Sequence, residues 1–209
     1  MTEVAVHPEC LFSLETFDLL EKFKKDSKED FYLAHKEEFK KYVEQPLQKL
    51  YRHVLAQISG DIIKELDINL YEKPIFLNCN FGYSLLSKRT KITNNSNLAE
   101  FFIEITPTNF YFGLFIDKLS PDKQKFIKNI QDNQIKEIIL QNSHLPDKCT
   151  LHYSSNKKLE RCHRLSEWLK LVARQNSATK NIQISVHLKS NEVLLSSSED
   201  LITQIKQTL

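Results

Sequence analysis

The chain has 209 residues, a net charge of +2 and only three glycines. That length holds one large domain or two small ones and can bury a core without covalent staples. Three glycines exclude the clustered phosphate-cradling loops of P-loop and dinucleotide-binding proteins. Hydrophobic residues make up 41% and charged residues 27%, the balance of an ordinary globular protein. No apolar run approaches the roughly 18 residues that span a bilayer. Residues 1–9 lack the basic and apolar regions of a signal peptide, so a cytoplasmic protein with no membrane partner is expected. Cys10, Cys79, Cys149 and Cys162 are too scattered for a disulfide framework or a zinc ribbon. No metal and no cofactor is expected.

In chain order, Ser13 to Lys25 places Leu14, Phe17, Leu20 and Phe23 at helical spacing, with Ser13 as N-cap. A second helical pattern runs through Phe31, His35, Phe39, Tyr42 and Val43, then Leu47, Leu50, Tyr51, Val54, Leu55 and Ile58. Pro46 interrupts it, which predicts two segments meeting near Glu44 and Gln45. Short strands follow at Ile75–Leu77 and Tyr83–Leu86, then a polar loop over Ser87–Asn97. Alternation from Ala99 to Thr106 and from Phe110 to Ile116, joined through Pro107, predicts a β-hairpin. Both of its faces carry aromatics, so it belongs in the middle of the sheet.

Ser120-Pro121-Asp122 starts another helix, with a break near Asp132-Asn133. Cys149–Tyr153 is a strand candidate, and Leu165, Trp168, Leu169 and Val172 form a helical stripe that assigns Trp168 to the core. Ile182 to Leu188 alternates as a strand with one wet face, and Ser196 to Glu199 reads as a capping box for a last helix. That helix carries Leu201, Ile202, Ile205 and Leu209 and stops without a Gly or Asn cap, still presenting an apolar stripe, which predicts a module cut from a longer protein. The expected fold is α+β: a single domain over 1–209, helical over about 13–66 and mixed over about 75–209. It combines N-terminal helices with a mostly antiparallel sheet, a central hairpin and C-terminal helices.

Charge supplies the strongest functional signal. Between Lys148 and Lys189 stand nine basic residues and only two acids, a local charge of +7 that leaves the remainder net acidic. Such asymmetry points to an anionic partner, nucleic acid first among them. Lys157, Lys158, Arg161 and Arg164 flank and open the Trp168 helix, where a shared face can meet successive phosphates. Lys88, Arg89, Lys91, Asn94 and Asn95 make a second basic, amide-rich patch, of the side chains that pair two-pronged with guanine and adenine edges. Phe81 and Tyr83 beside it offer a surface for base stacking. No set of residues defines a catalytic centre, so the chain alone reads as a binder and not an enzyme.

The stretch Asp30-Phe31-Tyr32-Leu33-Ala34-His35-Lys36-Glu37-Glu38-Phe39, continued by Val43-Glu44-Gln45-Pro46-Leu47, resembles the opening of a widespread uncharacterised bacterial domain family. Of that family's motif before the hairpin, Leu85 to Thr90 keeps only Ser87-Lys88 and Arg89. The hairpin Glu100–Ile105 with Phe110–Leu114, and the end from Glu192 to Ile202, are similar to N-terminal modules of McrB-type AAA+ proteins, which restrict modified DNA. That resemblance implies a target-recognition module beside a fused AAA+ motor and a separate nuclease subunit. Two readings follow. The first is a nucleic-acid-binding specificity domain, for DNA and a modified base flipped from the duplex. The second is a protein–protein or assembly adaptor.

Overall fold

Pro46 shapes the N-terminal layer. Having no N–H, it cannot give the Tyr42 carbonyl its helical hydrogen bond, and its ring crowds that turn. In the computed structural model the chain answers with one wide π-helical turn, Lys40–Glu44, directly before a helix that carries Pro46 in its first turn. The structure describes residues 5–26, 29–58, 66–67, 75–77, 80–87, 99–117, 119–142, 149–155, 158–162, 164–174 and 181–208. The helices of this layer are α1 (Leu14–Lys25), α2 (Glu29–Ala34), α3 (Lys36–Phe39) and α4 (Gln45–Gln57). The two-segment expectation around Glu44 and Gln45 therefore holds.

Tyr32 ties α2 to the π turn. Its hydroxyl donates to Glu44 Oε1 at 2.6 Å. Burial first, and the Glu44 carboxylate second, push its pKa up to about 12. A raised pKa means the folded state holds the phenol proton more tightly. The contribution is thus complete below the free value of about 10 and fades as pH climbs through 12. Tyr32→Phe is expected to lose about 1–2 kcal/mol at pH 8. The deficit should shrink at pH 11, as measured by urea midpoints of both proteins. An equal deficit at both pH values would refute the assignment.

The strands are β1 (Leu66–Asp67), β2 (Ile75–Leu77), β3 (Asn80–Ser87), β4 (Ala99–Ile105), β5 (Asn109–Ile116), β6 (Cys149–Ser155), β7 (Lys158–Cys162) and β8 (Ile182–Lys189). They form one sheet in the order β1-β3-β4-β5-β8-β6-β7, with β2 also on β3. Every described pairing is antiparallel. The β4–β5 hairpin is central, as its two aromatic faces predict. The fold is α+β. One boundary moves: Leu66, expected at the end of the helical part, is strand.

Among the described residues there are five further helices: α5 (Pro121–Gln131), α6 (Asn133–Asn142), α7 (Leu165–Arg174), α8 (Ser190–Leu195) and α9 (Ser198–Thr208). Ser120 caps α5 by accepting from the Asp122 N–H. The α5–α6 break falls at Asp132, whose carboxylate accepts from the N–H groups of Gln134 and Ile135 and so starts α6 afresh. The last capping box lies one residue later than expected, between Ser197 and Asp200.

The core has two parts. One joins α1–α4, α8 and α9 to Ile103, Ile105, Phe110, Phe112, Val186 and Leu188. The other joins α5–α7 to Ile116, Leu151 and Ile182 around a fully buried Trp168. Trp168 is thus a core residue, as its stripe predicts. The terminal stripe is corrected: Leu201, Ile202 and Ile205 are buried inside this chain's own first core, while Leu209 lies outside the described residues. Each such burial contributes about 1.5–3 kcal/mol, so the stripe serves folding and not a neighbour.

Candidate nucleic-acid interface

Side chains alternate across a strand, so the register sorts the sheet into two faces. The buried strand residues of both cores fall at positions that pair with one another. Ile103 faces Phe112 and Phe112 faces Val186, and likewise Ile116 faces Ile182 and Ile182 faces Tyr153. Both cores therefore sit on one face of the sheet, and the described helices pack there. The alternate positions are Phe102 and Glu104 on β4, Asn109, Tyr111, Gly113 and Phe115 on β5, and Gln183, Ser185, His187 and Lys189 on β8. Among the described residues no helix joins a core on that second face.

Phe102, Tyr111, Phe115, Gln183 and His187 are all partly exposed, and Lys189 is exposed. The Tyr111 and His187 rings stack at 4.7 Å and 15°. His187 Nε2 lies 2.7 Å from Asn109 Oδ1. The Asn109 amide nitrogen donates to Thr108 Oγ1 at 2.8 Å. Burial, and then the charge of Glu104, push the Tyr111 hydroxyl pKa upward. Phe102 and Phe115 make no ring contact among the described residues. Between them lies Gly113, itself buried, opposite a buried Ser185.

The basic run folds as a single unit. Its strands β8, β6 and β7 are consecutive at one edge of the sheet, and α7 packs against β6 and β7. The helical row of bases is corrected, however. Lys158 and Arg161 lie in strand β7, and the helix starts only at Leu165. Three residues apart on a strand, positions 158 and 161 take opposite faces. Position 161 pairs with His152, in the row of Ser154 and Leu159 on the face opposite the two cores. Arg164 is exposed just before α7. Lys158 and Lys189 stand at opposite ends of the sheet, since Ile182 and not Lys189 aligns with Tyr153.

Phe81 and Tyr83 occupy β3 positions opposite Ile105 and Ile103, in the row of the helix-covered face. Lys88, Arg89, Lys91, Asn94, Asn95 and Lys157 lie outside the described residues. The strand ends that flank 88–98, Ser87 and Ala99, stand at the same end of the sheet as Lys158. The residues that sequence reasoning left unassigned are Asn109, Gln183, Ser185 and His187. The signal for the last three was the polar half of the β8 alternation; Asn109 starts β5. No described group of His, Cys, Asp and Glu side chains is arranged to hold a metal ion. No described helix is long and apolar enough to cross a membrane.

No protein-family model matches the chain, and no curated protein matches it. The likeness to McrB-type modules thus rests on the residues quoted for it.

Proposed function

We propose that this chain is a nucleic-acid-binding specificity module, with any hydrolysis or cleavage done by other proteins. The observation that carries the reading is the contiguity of the basic run. Nine bases against two acids occupy one stretch of sequence, and its strands and helix are neighbours at one edge of the sheet. The helices α1–α4 join the other core and leave that edge to α7. A concentrated positive edge attracts phosphates and steers their approach. Its resemblance to McrB-type modules makes duplex DNA with a modified base the first ligand to try, as in restriction or defence. The adaptor reading loses its best contact, because the stripe of α9 is buried within the chain.

Fluorescence anisotropy tests this with plain duplex, methylcytosine duplex, single-stranded DNA and RNA. About four phosphate contacts imply a fall in affinity of roughly 100-fold between ~50 and ~200 mM salt. Charge reversal at Lys158 or Arg161 should lower the salt slope by about one each. A preference for the methylated duplex would support a restriction role. No binding to any ligand at ~50 mM salt, where backbone contacts are strongest, would overturn the reading.

A further inference from the structure

We infer that the outer face of α4 is a second contact for duplex DNA, with Lys49 and Arg52 on the phosphates; this rests on the nucleic-acid reading and adds a surface to it. α4 runs from Gln45 to Gln57 and buries Leu47, Leu50, Tyr51, Val54 and Leu55 in the first core. Its other side presents Gln45, Lys49, Arg52, His53 and Gln57, all exposed. No Asp or Glu stands between positions 45 and 58. At ~1.5 Å per residue the helix holds these side chains in a straight row of about 18 Å.

Among the described residues nothing inside the chain accounts for the two bases. Elsewhere in this layer exposed lysines meet an acid one turn away, Lys25 with Glu21 at 3.5 Å and Lys40 with Glu37 at 3.9 Å. No acid lies one turn from Lys49 or Arg52, and neither forms an ion pair among the described residues. They stand three residues apart instead, where like charges repel. The last turn of α4 holds no base, so attraction to the negative end of the helix does not explain them either.

The make-up of the face decides which polyanion fits. Protein interfaces bury aromatic and apolar side chains at their centre, and a membrane surface takes the apolar face of a helix. The core already takes up the apolar side of α4, and the exposed side offers bases, amides and Ala56. Single strands are held by stacking on aromatic rings, and no aromatic residue lies on this side. A polar, positive row without aromatics matches a DNA duplex. The B-form major groove, ~12 Å wide, admits a helix and lets Arg and Gln bond base edges, whereas the A-form groove of RNA is too narrow to be read.

The test is anisotropy of the full chain with a labelled duplex of about 20 base pairs. Lys49→Gln with Arg52→Gln should lower the salt slope by about two and weaken binding about 10-fold at ~100 mM salt. Lys24→Gln with Lys25→Gln removes equal charge from exposed positions of α1 and should leave the slope unchanged. Glutamine keeps the helix, so the urea midpoint of the α4 variant should equal or exceed the parent's as a like-charge pair is removed. Single-stranded DNA and poly-glutamate of equal charge stand for the other occupants. Either one binding the parent tighter than the duplex, and losing affinity in the α4 variant, assigns the face to that ligand and overturns the inference. Equal losses in the α1 and α4 variants make the effect one of total charge and overturn it too. Unchanged duplex binding in the α4 variant, with charge reversal at Lys158 or Arg161 still weakening it, overturns the inference and leaves the nucleic-acid reading standing. Absence of binding to duplex, single-stranded DNA and RNA at ~50 mM salt overturns both.

Discussion

Gly113→Ala is expected to cost about 3–5 kcal/mol or to prevent folding, the largest single-site effect in this chain. Gly113 sits at the middle of β5, between β4 and β8, with φ at +157°. A Cβ built on it would lie 1.9 Å from the Ile184 carbonyl oxygen and 2.8 Å from Ser185 Cα. These are backbone atoms of β8, so no rotamer change relieves the clash. β8 would have to move away from β5. That pairing runs from Asn109 to Ile116, and its two ends serve the two halves of the core. Separating the strands therefore opens both halves at once. Urea denaturation of the alanine variant measures the loss. A cost below about 1 kcal/mol would mean that the strands part easily and that the close approach is not structural.

Much of this architecture was legible because its residues repeat at the period of the element they form. α1, α4, α7 and the β4–β5 hairpin all carry such signals, and Pro46 marked the junction ahead of α4. β7 carried none. Lys158-Leu159-Glu160-Arg161-Cys162 has no apolar alternation, and its extended state comes from pairing with β6. Intrinsic preference at such an edge is overridden by the partner strand. The row of bases read along a helix was lost with it.

Which sheet face would be covered was also beyond the sequence. β5 is aromatic in both rows, with Phe110 and Phe112 in one and Tyr111 and Phe115 in the other. The choice falls to the long-range contacts of Phe12 and of α9 with this strand. Those contacts span the whole chain. Phe81 and Tyr83 take the helix-covered row by the same register, a placement that no local pattern contains.

Thr16→Val should destabilise the protein by about 2–4 kcal/mol, although valine nearly matches threonine in shape. Thr16 is fully buried, and its hydroxyl donates to the Tyr42 carbonyl at 2.6 Å. It also accepts from the Ser13 N–H at 3.1 Å, closing the start of α1. The Tyr42 carbonyl stands four residues before Pro46, which has no N–H to offer it. Losing the hydroxyl strands a buried acceptor and a backbone donor together, each costing about 1–3 kcal/mol. Thr16→Ser keeps the hydroxyl and should recover most of the loss. Pro46→Ala restores an N–H four residues after Tyr42, giving that carbonyl a helical partner. In this background Thr16→Val should cost at least about 1 kcal/mol less than in the parent, a coupling that a double-mutant cycle reads directly. Additive losses would show that Thr16 serves α1 alone and that the carbonyl is satisfied elsewhere. The coupling would instead make one hydroxyl the link between the start of α1 and the π turn ahead of α4, two elements that share the first core.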